Sequence, residues 1–159
     1  AGYHHLDRSL AIGDGDEAFA RAVDGLRAWQ AHRGAGLTVY PERAPLEAGT
    51  DVLSVARAGP LVALAACRIV HVIDEPARFG FAYGTLLLHP EVGEEAFLIE
   101  RSAGGQVTFR VRAFSRPGHL LTRLGGPVAT LVQRQTAGRY LRGLHDYVRR
   151  NGGATGRTL

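Results

Sequence analysis

The sequence predicts an α+β fold in which a curved antiparallel sheet wraps around a long C-terminal helix. Three patterns point there. Between Asp51 and Ser115, runs rich in β-branched and aromatic residues alternate with turns so short that neighbouring strands must be antiparallel. Beyond Pro117 the apolar period lengthens, and Val128, Leu131, Val132, Gln135, Leu141, Leu144 and Val148 fall on one helical stripe. A further amphipathic segment near the N-terminus adds a helix, and such elements pack as a sheet gripping helices on one face.

Taken in order, Tyr3 to Leu10 is a candidate first strand. Gly13-Asp14-Gly15-Asp16 reads as a loop ending in a helix-capping acid. Phe19, Val23 and Leu26 follow at three- to four-residue spacing, which predicts a helix from about Glu17 to His32, stopped by Gly34 and Gly36. Pro41 and Pro45 confine LTVYPERAP to a short edge strand. Asp51 to Ala58 is the next strand, Gly59-Pro60 a turn, and Leu61 to Asp74 the central strand. Arg78 to Leu88, Glu94 to Arg101 and Gln106 to Ser115 follow, separated by His89-Pro90 with Gly93 and by Gly104-Gly105. The closing helix runs from about Pro127 to Arg150, roughly 36 Å at 1.5 Å per residue. One domain over residues 1–150 with a disordered tail over 151–159 is expected.

Composition removes several chemistries. All nineteen basic residues are Arg, so Schiff-base catalysis, a lysine nucleophile and a Lys-bearing phosphate loop are excluded. No apolar run reaches the roughly 20 residues of a membrane span, and AGYHHLDRSL lacks a signal peptide's apolar stretch, so no membrane partner and a cytoplasmic location are expected. The net charge of +4 comes from Arg spread along the chain rather than interleaved with aromatics, which argues against nucleic acid. Cys67 has no second cysteine to pair with and reads as a buried thiol.

Strand alternation nominates the side chains that face the interior. Of the two phases of the central strand, Cys67, Ile69, His71 and Ile73 is the less charged, which turns His71 inward. Phe79, Phe81, Tyr83 and Thr85 share one face of the following strand, and Glu95 shares a face with Phe97 and Ile99. His71, Tyr83 and Glu95 around an apolar cavity would suit acid-base catalysis, because desolvation and mutual hydrogen bonding bring such groups toward neutral pKa values. Separately, each also has a plain structural reading as a core histidine, a core aromatic and a surface acid. Arg116, beside the turn into GHLLTRLGGP, could grip a carboxylate or phosphate, or pair with Glu94 or Glu95. Trp29, Phe81, Leu88 and Phe97 would line the apolar part of the pocket. His89 with Glu91, Glu94 and Glu95 raises a metal site, against which stands the absence of a second nearby His; a turn-capping His is the alternative. No metal and no cofactor is expected.

Several long blocks carry a family resemblance: Gly13-Asp14-Gly15, Trp29-Gln30-Ala31-His32, CRIVHVIDEPARFGFAYGTL from Cys67 to Leu86, HPEVGEEAF from His89 to Phe97, AFSRP from Ala113 to Pro117, and LGGP with RYL between Leu124 and Leu141. Together they closely resemble the DUF1990 (UPF0548-like) family of uncharacterised proteins. The element order is similar to the helix-grip fold of START and Bet v 1-like (SRPBCC) proteins, which implies a cavity between sheet and C-terminal helix. One departure stands out. Where the family usually reads GTLPGHP, this chain has Gly84-Thr85-Leu86-Leu87-Leu88-His89-Pro90, so two Leu replace a Pro-Gly corner. That change either extends an apolar mouth for a larger ligand or is drift absorbed by neighbouring packing.

The expected function is a cofactor-free enzyme of specialised metabolism that encloses a hydrophobic, oxygenated small molecule and guides a cyclisation, isomerisation or dehydration. His71 would be the base, Tyr83 and Glu95 proton donors or orienting groups, and Arg116 the anchor of an anionic part. The alternative is a noncatalytic carrier or sensor of an apolar ligand.

Overall fold

The computed structural model describes residues 3–87, 89, 91–118 and 126–153. Seven strands form one antiparallel sheet: β1 (His4–Asp14), β2 (Thr38–Tyr40), β3 (Asp51–Ala58), β4 (Leu61–Glu75), β5 (Arg78–Thr85), β6 (Glu91–Arg101) and β7 (Gln106–Pro117). Their spatial order is β1-β7-β6-β5-β4-β3-β2, so the chain meanders from β2 to β7 and β1 covers the far edge. Three helices among the described residues, α1 (Gly15–Arg27), α2 (Gln30–Gly34) and α3 (Gly126–Gly152), accompany the sheet, and α3 packs against α1, α2, β1 and β7.

The sheet owes its register to rows of apolar side chains on one face. Phe79 pairs with Ile99 and Ile99 with Phe109; one row further, Phe81 pairs with Phe97 and Phe97 with Val111. All six are at most 2% exposed. A one-residue slip would carry every one of them into water, so burial pins the pairing. The next row is Tyr83, Glu95 and Ala113. It carries the polar atoms on to the end of the apolar face.

The central strand departs from simple alternation. Ile69 pairs with Tyr83 but His71 with Ala82, so Val70 is an extra residue on β4. A bulge of this kind reverses the phase of everything after it. Val72 joins Phe81 on the inner face, and His71 turns to the outer one, where it is exposed.

The expected single helix over 17–32 is two helices. α1 ends at Arg27, and Trp29 takes a left-handed conformation with φ 58° before α2 begins. A side chain pays about 1–2 kcal/mol for that region, and here the indole gains complete burial, with its Nε1 donating to the Ala44 carbonyl at 2.9 Å. The break sets α2 across α3, where Gly34 meets Gly143; a Cβ on Gly34 would strike the Gly143 Cα. Strand β5 stops at Thr85 and β6 starts at Glu91, three residues earlier than the alternation suggests, because Glu91 still pairs with Pro117. Asn151 and Gly152 belong to α3 rather than to the expected tail, whose residues 154–159 lie outside the described residues.

Helix α3 is asymmetric along its length. Ala137, Tyr140, Leu141, Leu144 and Val148 are buried, whereas Val128, Leu131 and Val132 are each about half exposed. The C-terminal half is gripped by the sheet and α1–α2. Among the described residues, its N-terminal half packs less closely on the rest of the fold.

Candidate functional site

At the centre of the concave face six rings meet. Trp29, His32, Phe81, Tyr83, Phe97 and Tyr140 are all at most 5% exposed. The His32 imidazole lies 4.7 Å from the Tyr140 ring centroid, 4.9 Å from Trp29 and 5.0 Å from Phe97. Phe81 and Phe97 stack at 5.0 Å. The space that the sequence assigns to a cavity is thus filled by aromatic side chains at its deep end. Among the described residues, this cluster meets solvent toward the Glu95 end of the row, where Glu95 keeps part of its surface.

A hydrogen-bonded chain crosses this cluster. The Tyr83 hydroxyl donates to Glu95 Oε2 at 2.9 Å, and His32 Nε2 lies 3.2 Å from the same hydroxyl. Because that hydroxyl has one proton and spends it on Glu95, Nε2 must carry the hydrogen and donate to the Tyr83 oxygen. Nδ1 of His32 then holds a bare lone pair, buried and without a partner. The Tyr140 ring closes the same cluster, 5.2 Å from Phe97.

Burial sets the protonation of each member. It pushes Glu95 up to about 7, opposed by the Tyr83 hydrogen bond and aided by the nearby charge of Glu91. The same effect lowers His32 to about 3, which keeps the imidazole neutral. Tyr83 and Tyr140 are raised far above the usual phenol value, first by desolvation and then by Glu95. Cys67 is pushed up to about 12 by burial and by Glu95, so its thiol stays protonated. Of Glu95, His32, Tyr83 and Tyr140, Glu95 is the one placed to exchange a proton at neutral pH.

A second polar group lies four residues along β6 on the same face. Gln133 of α3 donates to Ser115 Oγ at 2.8 Å and to Glu91 Oε2 at 3.3 Å, and burial raises the Glu91 carboxyl, offset by its bond with Ser115. His89 accepts the Glu91 amide at Nδ1 over 3.0 Å, the turn-capping arrangement.

The structure brings Tyr83, Glu95, Trp29, Phe81 and Phe97 into one cluster and leaves two nominated residues out of it. His71 points to solvent because of the bulge at Val70. Arg116 is exposed on the outer face of β7, with its guanidinium over the Tyr3 ring at 5.7 Å, since Ser115 takes the inward position. Leu88 lies outside the described residues, and its neighbour Leu87 is fully exposed. The imidazole that does reach Tyr83 is His32, and its signal in the sequence was the Trp29-Gln30-Ala31-His32 element at a helix end. A groove of about 760 Å³ lies elsewhere, lined by Arg27, Gln30, Arg33, Arg43, Leu46 and Phe79 among others. It contains no member of the hydrogen-bonded chain, and its Arg27 is already held by Asp74 at 2.9 Å.

Comparison with known proteins gives both family and fold. Residues 1–143 match the family model described as a domain of unknown function, DUF1990. A UPF0548 protein of Deinococcus radiodurans is 38% identical over 143 residues, covering 84% of this chain and 72% of the relative. A UPF0548 protein of Arabidopsis thaliana is 32% identical over 135 residues, covering 80% of this chain and 65% of the relative. Among solved structures, the Zhui aromatase/cyclase of a Streptomyces superposes with a TM-score of 0.62 at 14% identity, covering 98% of this chain and 99% of that one. Ara h 8.0201 superposes with a TM-score of 0.60 at 12% identity, covering 94% and 100%. At these identities the likeness is one of fold, the helix-grip arrangement of a curved sheet around a C-terminal helix.

Proposed function

The chain belongs to the DUF1990 family, and from the chemistry at its centre we propose that it is a cofactor-free enzyme using Glu95 as its acid-base group on a hydrophobic, oxygenated small molecule. The observation that carries this reading is a carboxyl held near neutrality by burial and hydrogen-bonded through one oxygen to Tyr83, with no partner at the other among the described residues. Ionised Glu95 takes a proton from the substrate at Oε1 and, once protonated, returns it to an oxygen or carbon of the rearranged product. Tyr83 fixes the carboxylate, while His32 Nε2 donates to the Tyr83 oxygen and so orients its proton toward Glu95. Such a relay fits cyclisation, isomerisation or dehydration, reactions that need a held conformer and one placed proton. The fold shared with the Zhui aromatase/cyclase supports this class, and placement in specialised metabolism rests on the same likeness.

Native mass spectrometry of protein purified from its own host would supply the ligand, and turnover of that ligand tests the reading. Glu95→Gln should lower turnover by about 10²–10⁴-fold, the usual contribution of a placed general base or acid. Tyr83→Phe should also lower turnover and shift the pH profile. His71→Ala, on the outer face, serves as the control expected to change nothing. Unchanged turnover in Glu95→Gln with weakened affinity would instead identify a carrier of the same ligand.

A further inference from the structure

We infer that the pole of the molecule beyond the Glu91 end of β6 is a docking surface for a bilayer that carries anionic headgroups. The inference stands on exposure and charge and does not depend on any reaction at Glu95. Register locates the pole. Cys67 lies opposite Thr85, one residue beyond the Gly84–Glu94 pair, which puts Ala65 level with Glu91 and Pro117. From there the β3–β4 hairpin runs on to Leu61, an overhang of about 13 Å at 3.3 Å per residue. Helix α3 overhangs likewise, since Gln133 sits beside Glu91 and Val128, Leu131 and Val132 precede it toward the helix start. The turn after β5 brings Leu87 to the same end. These projections are tipped with apolar side chains in water: Leu61 is 72% exposed, Val62 51%, Leu87 fully, and the three α3 residues about half. Among the described residues, no large apolar side chain is exposed to that degree at the opposite pole, where the β6–β7 turn and the end of α3 lie. Apolar tips gathered from three elements mark a surface that meets an apolar phase.

Charge chooses the occupant. Residues 52–73 and 101–145, which supply the hairpin and the β7–α3 side of the pole, contain Arg but no Asp or Glu. Arg57 stands opposite Val62 on the hairpin, Arg116 opposite Val92, and Arg134 two residues after Val132. All three are exposed and none bridges to an acid among the described residues, whereas Arg27, Arg68 and Arg110 elsewhere on the surface are each held by an aspartate. Each unbridged guanidinium thus adjoins an exposed Val. That interleaving suits the headgroup boundary of a leaflet, with the apolar tips directed to the acyl chains and the guanidinium groups on phosphate oxygens. Tyr3, 47% exposed beneath the Arg116 guanidinium, adds an amphipathic ring at the same level. A second copy of this chain is the poorer occupant. Glu91 is turned inward to Gln133, and Glu94 is the one exposed acid at that end of β6, so a symmetric contact would set Arg mainly against Arg. Contact with one leaflet is distinct from a span. No helix among the described residues is long and apolar enough to cross, and the expectation of no membrane partner rested on that criterion.

Flotation of the full chain with vesicles tests this. At about 0.1 M salt, phosphatidylcholine vesicles with about 30 mol% phosphatidylglycerol should be bound at least about tenfold more tightly than phosphatidylcholine alone, and the preference should shrink as salt rises. Leu61→Asp and Leu131→Asp, at exposed positions on two different elements, should each lower binding at least about tenfold. Arg57→Gln combined with Arg134→Gln should erase the preference for the anionic vesicles. Val70→Asp, exposed in the middle of β4 and away from the pole, should bind as the wild type does. Circular dichroism verifies each fold, and with two Leu sites in separate elements the loss of one variant leaves the other to decide. Equal binding to the two vesicles, no binding to either, or a loss in Val70→Asp as large as in the Leu variants would each overturn the inference. So would a dimer in sedimentation that Leu131→Asp dissolves while the wild type ignores vesicles, a result that gives the pole to a second copy.

Discussion

Glu95 and His32 titrate in opposite senses, and their overlap gives the clearest residue-scale test. Glu95 is raised from 4.5 to about 7 in the folded chain, so the stability it contributes is full below pH 4.5 and is lost as pH rises through 7. His32 is lowered from 6.5 to about 3, so its contribution is full above pH 6.5 and is lost as pH falls toward 3. Between pH 4.5 and 6.5 one proton is taken up and one released on unfolding, and the two slopes cancel. Glu95→Gln, which can still accept from Tyr83, removes one slope and exposes the other. Its stability should climb by roughly 3 kcal/mol across that window, at about 1.4 kcal/mol per pH unit, while the wild-type profile stays flat from these two groups. Urea denaturation at half-unit pH steps measures both profiles. Parallel curves would mean that Glu95 is solvated like a surface acid and that the burial argument fails. Tyr83 and Glu95 could be read from the sequence because β5 and β6 alternate without interruption, and alternation is all that their placement requires. His71 could not, since a single extra residue at Val70 reverses a phase that composition alone had fixed correctly up to Ile69.

At the scale of elements, the delivery of His32 depends on how α2 crosses α3. A helix of five residues has little stability of its own, so α2 is held by what it touches. Gly34 and Gly143 let the two backbones meet, and a Cβ at Gly34 would fall on main-chain atoms of α3, which cannot swing aside as a side chain can. Gly34→Ala should therefore cost about 1–3 kcal/mol as an overpacking substitution, and the displaced α2 should carry His32 away from Tyr83. Thermal unfolding gives the first quantity and the Trp29 fluorescence maximum, shifted to longer wavelength as its packing loosens, gives the second. An unchanged melting point with unchanged fluorescence would show that the crossing has slack. The helix break itself was hidden from the sequence, where Phe19, Val23 and Leu26 run on toward Trp29 at helical spacing. Nothing in that stripe announces a left-handed residue; it is the burial of the indole against Ala44 and Phe81 that selects it.

Across the whole molecule, the meander and the long closing helix were legible because each rests on a pattern many residues long, while the filling of the centre was not, since it depends on six rings brought together from α1–α2, β5, β6 and α3. That filling has a consequence for how a ligand enters. The deep end is packed ring against ring, and among the described residues cover is thinnest between the Glu91–Glu95 end of β6 and the first turns of α3, where a ligand is expected to enter. Val128, Leu131 and Val132 there leave apolar surface in water, whereas Ala137, Tyr140, Leu141 and Leu144 are fixed against α2 and the sheet. Local opening follows buried apolar contact, so the two halves of α3 should differ in amide exchange. Residues 130–136 are expected to exchange at least about 100-fold faster than 140–148, corresponding to a gap of about 3 kcal/mol in opening free energy. Occupancy of the Glu95 end by a ligand should slow the first group and leave the second unchanged. Uniform protection along α3 would place the entrance elsewhere and detach Gln133 and Glu91 from the site, even with the Tyr83–Glu95 pair intact.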